Sequence, residues 1–90
     1  MVMDIKDLRY VVAVYEARNF MRASIALATS QSNVSIRIRR LEEDLNATLF
    51  VRGNRGVMPT RKGDLLYRYA KDALKKMDEA RETIKKLDAA

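Results

Sequence analysis

This 90-residue sequence predicts a mainly α-helical fold: three short helices forming a core, a short β-hairpin, and then one long helix. Three observations lead there. Apolar residues recur at helical spacing through three segments between residues 5 and 45. Between residues 48 and 59 that spacing gives way to two β-like runs around a glycine-containing turn. From residue 61 onward, apolar residues recur as a heptad until close to the C-terminus.

The first helix opens at Met3-Asp4-Ile5-Lys6-Asp7, where Asp4 is a natural N-cap and Asp7 supplies the second half of a capping box. Ile5, Leu8, Val12 and Tyr15 fall on one stripe. With Val11 and Val14 added, the helix is nearly apolar all round its middle, the pattern of a central core helix, and Arg18-Asn19 ends it. Asn19 then caps a second helix from Phe20 to about Leu27. Its buried face is Phe20, Ala23, Ala26 and Leu27, with the alanines permitting close helix contact. Ala28-Thr29 makes a tight connection that lacks the glycine frequent in such turns.

Ser30 caps a third helix that stops near Asn46, a residue tolerant of the left-handed conformation. Val34, Ile38, Leu41 and Leu45 form its apolar face. Gln31, Ser32, Ser35, Arg37 and Arg39 form the opposite one, which no carboxylate joins before Glu42. Short polar residues at the helix start, then Gln and Arg, suit insertion into the major groove of DNA. Gln pairs two-pronged with adenine, and Arg with guanine or with phosphate. An ordinary amphipathic helix with a solvated polar face has the same pattern when taken alone.

Thr48-Leu49-Phe50-Val51-Arg52 reads as a strand, Gly53-Asn54-Arg55-Gly56 as a turn and Val57-Met58-Pro59 as a return strand. Pro59 confines the second run to an edge or a strand end. Placed directly after the third helix, the hairpin is a wing, and the fold is a winged helix-turn-helix followed by a long linker helix. Arg55 at the wing tip can enter a minor groove; a plain solvated turn is the alternative. Thr60 caps the last helix, Arg61 to about Leu87, in which Gly63 is a mild liability. Leu66, Ala70, Ala73, Met77, Ala80, Ile84 and Leu87 make the heptad seam. The far half of that seam has no cover within the chain, so a homodimer through residues 60–88 is expected. The competing readings are packing against a further C-terminal domain, or the exposed end of a truncated chain.

The net charge of +6 is unevenly placed. Residues 18–63 hold nine Arg or Lys against Glu42, Glu43 and Asp44, whereas the flanking segments nearly balance. A polyanionic partner for that segment follows, though surplus charge also aids solubility. The sequence has neither Cys nor His, which removes disulfides, thiolate sites and the commonest general base and transition-metal ligand. No cofactor or metal is expected. No apolar run is long enough to span a bilayer and no signal-peptide pattern is present, so a cytoplasmic protein without a membrane partner is expected.

Leu8-Arg9-Tyr10-Val11-Val12-Ala13-Val14, Asn19-Phe20 with Ala23, Ser30-Gln31-Ser32-Asn33-Val34-Ser35, and Ile38-Arg39-Arg40-Leu41-Glu42-Glu43-Asp44-Leu45 together carry a family pattern. Leu49-Phe50, Arg52, Arg55-Gly56-Val57, Pro59-Thr60 and Gly63 continue it. Over about residues 3–87 the chain resembles the DNA-binding domain of LysR-type transcriptional regulators of bacteria. The resemblance implies a DNA-binding unit over residues 1–59, a dimerisation helix over 60–90, and a C-terminal effector-binding domain that this sequence lacks, through which a tetramer is possible. It implies base contacts from Gln31, Ser32, Asn33, Ser35, Ile36, Arg37 and Arg55. Phosphate contacts are implied for Arg22, Ser30, Arg40, Arg52 and Thr60. Departures from the family pattern are Met21 for the usual Ser or Thr, Ser32 for Pro, Ile36 for Arg, Arg37 for Gln and Asn46 for Gly. Ile36 suits a thymine methyl where Arg would seek hydrogen bonds.

The expected function is therefore sequence-specific binding to double-stranded operator DNA, an interrupted inverted repeat, by a dimeric regulator. A protein-docking module is the reading from a different class. An enzyme is the weakest: Asp4 with Asp7, and Glu42, Glu43 with Asp44, have no nucleophile or metal-ligand partner at a usable spacing.

Overall fold

The computed structural model describes residues 2–89. Residues 1 and 90, the outer ends of the two segments expected from the sequence, lie outside the described residues. The elements run α1 (Ile5–Ala17), α2 (Phe20–Ala26), α3 (Gln31–Leu45), β1 (Phe50–Gly53), β2 (Gly56–Pro59) and α4 (Arg61–Ala89).

Local chemistry sets the helix ends. At α1 the capping box closes in both directions: the Asp7 amide donates to Asp4 Oδ1 at 2.9 Å and the Asp4 amide to Asp7 Oδ2 at 3.0 Å. Asn19 Oδ1 accepts from the Arg22 amide at 2.9 Å to start α2, and Ser30 Oγ accepts from the Asn33 amide at 3.0 Å to start α3. Both of these helices end in a left-handed residue followed by a reversed pair of hydrogen bonds. After α2, Ala28 stands at φ 54°, with its amide on Ile25 O and that of Thr29 on Ser24 O. After α3, Asn46 stands at φ 50°, with its amide on Glu43 O and that of Ala47 on Glu42 O. The turn without glycine is thus made by an alanine in a conformation that normally favours glycine.

Val11, Val14, Ala23, Val34 and Leu41 are fully buried, and Tyr10, Phe20, Ile38, Leu49, Phe50 and Val57 complete one core between the helices and the hairpin. Several expected burial assignments change. The deepest positions of α1 are Val11 and Val14 rather than the Ile5–Tyr15 stripe, because α1 is contacted from several sides, by α2, α3, α4 and β2. In α2, Ser24 is buried where Ala26 was expected; Ser24 Oγ donates to Met21 O at 2.6 Å, which satisfies its hydroxyl. Leu45, in the last turn of α3, is exposed because that turn extends past the core.

β1 and β2 pair antiparallel with Phe50 opposite Pro59, Val51 opposite Met58, Arg52 opposite Val57 and Gly53 opposite Gly56. The strand begins two residues later than the sequence suggested, at Phe50 rather than Thr48. The preceding residues are held by a side chain instead: Glu42 Oε2 accepts from the Leu49 amide at 2.7 Å and the Phe50 amide at 3.3 Å. Glu42 therefore fastens the hairpin to α3. At the other end of the hairpin the Val57 amide donates to Arg18 O at 3.0 Å, and Gly56 sits at φ 103° where a Cβ would come within 2.8 Å of that carbonyl.

Thr60 seats α4. Its hydroxyl accepts from the Gly63 amide at 3.1 Å and donates to Thr48 O at 2.6 Å, while its amide donates to Leu49 O at 2.9 Å. Gly63 lies so close to the Leu49 carbonyl that a Cβ would meet the oxygen at 2.2 Å. The liability assigned to Gly63 on helix propensity is thus the condition for this contact. From there α4 packs chiefly on α1 and runs on past the core, giving the molecule dimensions of 54 × 26 × 22 Å. Among the described residues no helix is long and apolar enough to cross a membrane.

Candidate nucleic-acid interface

The burial of α3 is one-sided. Val34, Ile38 and Leu41 hold it on the core, and Gln31, Ser32, Asn33, Ile36, Arg39 and Arg40 are exposed. Ile36 is 47% exposed, so a large aliphatic side chain is offered to the outside on an otherwise polar face. Of the concavities along the helix, two border its N-terminal half. One runs between its start, the start of α2 and the wing, and is lined by Asn19, Met21, Gln31, Arg52 and Gly53 among others. The other lies between α3 and the start of α1, with Asp4, Asp7, Asn33, Ile36, Arg37 and Arg40 in its wall.

Several of the expected contact residues already have partners within the chain. Arg37 Nη1 donates to Asp7 Oδ1 at 2.8 Å, lies 3.7 Å from Asp4 Oδ1, and its guanidinium sits 5.1 Å from the Tyr10 ring centroid. Asp7 is 2% exposed, so this carboxylate has left water for that partner. The Asp4 carboxyl is held below its ordinary 3.8, first by the Asp7 amide and further by Arg37. The sequence reading placed no carboxylate on this face before Glu42; the tertiary fold brings two there from α1.

Arg52 lies with its guanidinium 4.2 Å from the Phe20 ring centroid and donates from Nη2 to Ser35 Oγ. That packs it against the flank of α3 and engages the half-buried Ser35 as well. Asn33 Nδ2 donates to Thr29 Oγ1 at 2.9 Å. The Thr60 hydroxyl is fully engaged within the chain, and the Ser30 oxygen carries the cap of α3 with its own proton still available to donate. Arg22, Arg40 and Arg55 are exposed, Arg55 at the tip of the hairpin turn. Arg18, by contrast, is turned inward, donating from Nε to Tyr15 O at 2.6 Å.

The α4 seam divides. Ala70 is fully buried and Leu66 packs against the core, so the first two seam positions are covered by the chain itself, chiefly by α1. Ala73 is half-buried. Met77, Ile84 and Leu87 are 38%, 60% and 72% exposed, and Ala80 is exposed with them. Heptad spacing shows a stripe but not where along the helix its cover changes. It also passed over Leu65 and Tyr69, which are exposed on the proximal half of α4 at 50% and 68%.

The family model for bacterial regulatory helix-turn-helix proteins of the lysR family matches residues 5–64. The chain belongs to that family. The HTH-type transcriptional regulator IlvY of Escherichia coli (strain K12) is 42% identical over 82 residues, which is 91% of this chain. The chain spans 28% of the length of that relative. The crystal structure of the BenM_DBD/catB site 1 DNA complex superposes with a TM-score of 0.92 at 35% identity, covering 98% of this chain and 99% of that one. The CbnR_DBD–DNA complex superposes with a TM-score of 0.86 at 28% identity, covering 94% and 98%.

The lysR-family fold expected from the sequence, a winged helix-turn-helix with a long C-terminal helix, is therefore the one observed, and the chain is a DNA-binding domain of a LysR-type transcription regulator. Its named relatives are regulators, not enzymes. The acidic groups weighed as catalytic do structural work instead: Asp4 and Asp7 cap α1, and Glu42 holds the start of the hairpin.

Proposed function

We propose that the chain reads double-stranded operator DNA as a homodimer. Residues 1–59 are the DNA-binding unit and residues 60–90 the linker and dimerisation helix, working on DNA in the bacterial cytoplasm. α3 lies in the major groove, with Gln31, Ser32, Asn33 and Ile36 facing base edges and Ser35 and Arg37 at the margins of the contact, each already braced by a protein partner. Arg55 enters the adjacent minor groove. Arg22, Ser30, Arg40 and Arg52 face phosphate, while Thr60, its hydroxyl already engaged, presents no free donor. The distal seam from Met77 to Leu87 pairs with a second copy.

The single observation that carries this reading is the one-sided burial of α3. Its Val34, Ile38 and Leu41 face is closed against the core, and its start is open along Gln31, Ser32 and Ile36. Cations on α2, α3 and the wing surround that open start, as a polyanionic ligand requires. The solved complexes with DNA that this chain superposes on support DNA as that ligand.

Selection of bound sequences from a random duplex pool, repeated at two salt concentrations, tests the reading. An inverted repeat whose affinity falls steeply with salt is the expected result. Recovery of single half-sites alone would remove the homodimer, and recovery of nothing above background would favour a protein-docking role.

A further inference from the structure

Among the described residues the distal half of α4 is exposed from Lys75 to Leu87, so its direction is set near its base. Beside the packing of Leu66 and Ala70 against the core, two polar attachments exist there. Thr60 and Gly63 pin the first turn to Leu49, which by itself makes a pivot. Farther along, Tyr15 of α1 and Tyr67 of α4 stack with ring centroids 3.7 Å apart and planes 8° from parallel. Each hydroxyl crosses to a carboxylate on the other helix. Tyr15 donates to Asp64 Oδ1 at 2.8 Å, Tyr67 donates to Glu16 Oε2 at 2.7 Å, and Lys71 Nζ reaches the same Glu16 oxygen at 3.2 Å.

We propose that this crossed tyrosine clamp fixes the angle between α4 and α1, and thereby sets the half-site spacing that the dimer reads. The inference rests on the homodimeric reading above. Aromatic pairs left to themselves prefer offset or edge-on arrangements at wider centroid separations than this one. The near face-to-face stack is therefore held by its two hydrogen bonds, and the five side chains, Lys71 included, act as one unit spanning residues 64–71 of α4.

Geometry makes such a unit matter. From Tyr67 to Leu87 the helix extends about 30 Å at about 1.5 Å per residue. A tilt of roughly 10° at the clamp displaces the far end by about 5 Å, more than the roughly 3.4 Å separating successive base pairs. A pivot without the clamp would let two recognition helices adapt to neighbouring spacings; with it, one spacing is favoured. Tyr15 and Tyr67 are positioning residues in this scheme and touch no DNA.

The test titrates the 90-residue chain, at fixed salt, against duplexes carrying one selected half-site and against inverted repeats whose central spacer changes one base pair at a time. The wild-type chain is expected to lose about tenfold in affinity per base pair away from its best spacing. Tyr67→Ala should flatten that loss to about threefold or less while half-site affinity stays within about twofold. Tyr67→Phe, which keeps the ring and loses the Glu16 bond, should fall between them. A Tyr67→Ala spacing profile that matches the wild-type one overturns the proposal, as does an equal loss on the single half-site, which would make Tyr67 part of the folded core. A wild-type chain that binds half-sites with no preferred spacing refutes the homodimeric reading, and the clamp falls with it.

Discussion

The guanidinium of Arg37, on the helix proposed to face DNA, is held by the buried carboxylate of Asp7 at the start of α1, 2.8 Å away. A residue chosen by its sequence position as a groove contact is thus also a structural brace between α1 and α3. Asp7 has exchanged water for this partner and for the Asp4 amide, so removing the guanidinium leaves a buried carboxylate half-satisfied. Arg37→Ala is expected to lower the unfolding free energy by about 1–3 kcal/mol in the absence of any DNA. Arg40→Ala, an exposed neighbour on the same helix, should stay within about 0.5 kcal/mol. Urea denaturation of both variants decides it; equal midpoints would deny the brace.

The α1–α4 contact has a pH dependence with two edges. The hydrogen bond from Tyr67, aided by Lys71 and opposed by partial burial, holds the Glu16 carboxyl below its ordinary 4.5. Its stabilising contribution is complete above that value and is lost as pH falls through the lower, folded-state value. The hydroxyls of Tyr15 and Tyr67 are pushed above their ordinary 10.0, chiefly by their bonds to Asp64 and Glu16. Their contribution is complete below pH 10.0 and is lost as pH rises through the raised values. Thermal midpoints measured across pH should therefore fall less steeply on the acid side for Glu16→Gln than for the wild type. Tyr67→Phe should remove one late-titrating step from the ultraviolet tyrosinate curve. Parallel acid limbs, or an unchanged alkaline curve, would separate these groups from the contact.

Gly63→Ala reverses in sign between sequence and structure. Helix propensity alone awards the alanine about 1 kcal/mol. The added Cβ would meet the Leu49 carbonyl oxygen at 2.2 Å, against backbone that Thr60 also holds. A net loss of about 2–3 kcal/mol is expected, read as a lower urea midpoint with unchanged slope. Any gain in stability would show that the base of α4 moves away freely.

Ala28→Gly should act in the opposite direction. Ala28 is exposed and sits at φ 54°, where an L-residue is penalised by about 1–2 kcal/mol and glycine is not. Greater freedom in the unfolded chain returns about 0.4–1 kcal/mol of that. The remaining gain, about 0.5–1 kcal/mol, corresponds to a rise of a few degrees in Tm. Calorimetry showing a lower Tm would mean the turn tolerates alanine without cost.

Gln31 and Arg55 are expected to fail in different ways on DNA. Gln31→Ala should relax discrimination at one base pair by about 1–3 kcal/mol while leaving affinity for random duplex nearly unchanged. Arg55→Ala should weaken binding most where the flanks are A·T-rich, with a narrow minor groove. Titrations against the selected site, single-base variants and random DNA distinguish them. Equal losses for Gln31→Ala on every duplex would move that residue from base to phosphate.

Chain-local rules were enough for most of the architecture. Asp4, Asn19, Ser30 and Thr60 start helices because their side-chain oxygens reach amides two or three residues on, which depends on nothing distant. Asn46 ends α3 for an equally local reason, and the apolar spacing of Val34, Ile38 and Leu41 settles which side of that helix is closed. The open start of α3 was legible by subtraction, and so was the placement of Arg55 at the hairpin turn.

Periodicity says that a face is apolar, not what covers it, and here it was silent on two matters. Leu66 and Ala70 continue the same stripe as Ile84 and Leu87, yet α1 covers the first pair while the second stays 60% and 72% exposed. Arg37 and Asp7 stand 30 residues apart, Tyr15 and Asp64 49, and Tyr67 and Glu16 51. Which charge meets which across such separations follows from how the helices cross, and only packing of the whole core sets that. Caps and apolar spacing, which act within a few residues, thus determined the fold and the open face of α3 from the sequence alone, and the resemblance of its motifs supplied the family. Only the tertiary structure decided that Arg37 is braced, that Gly63 must lack a side chain and that α4 is clamped, because each depends on two helices or a helix and a strand meeting at contact distance.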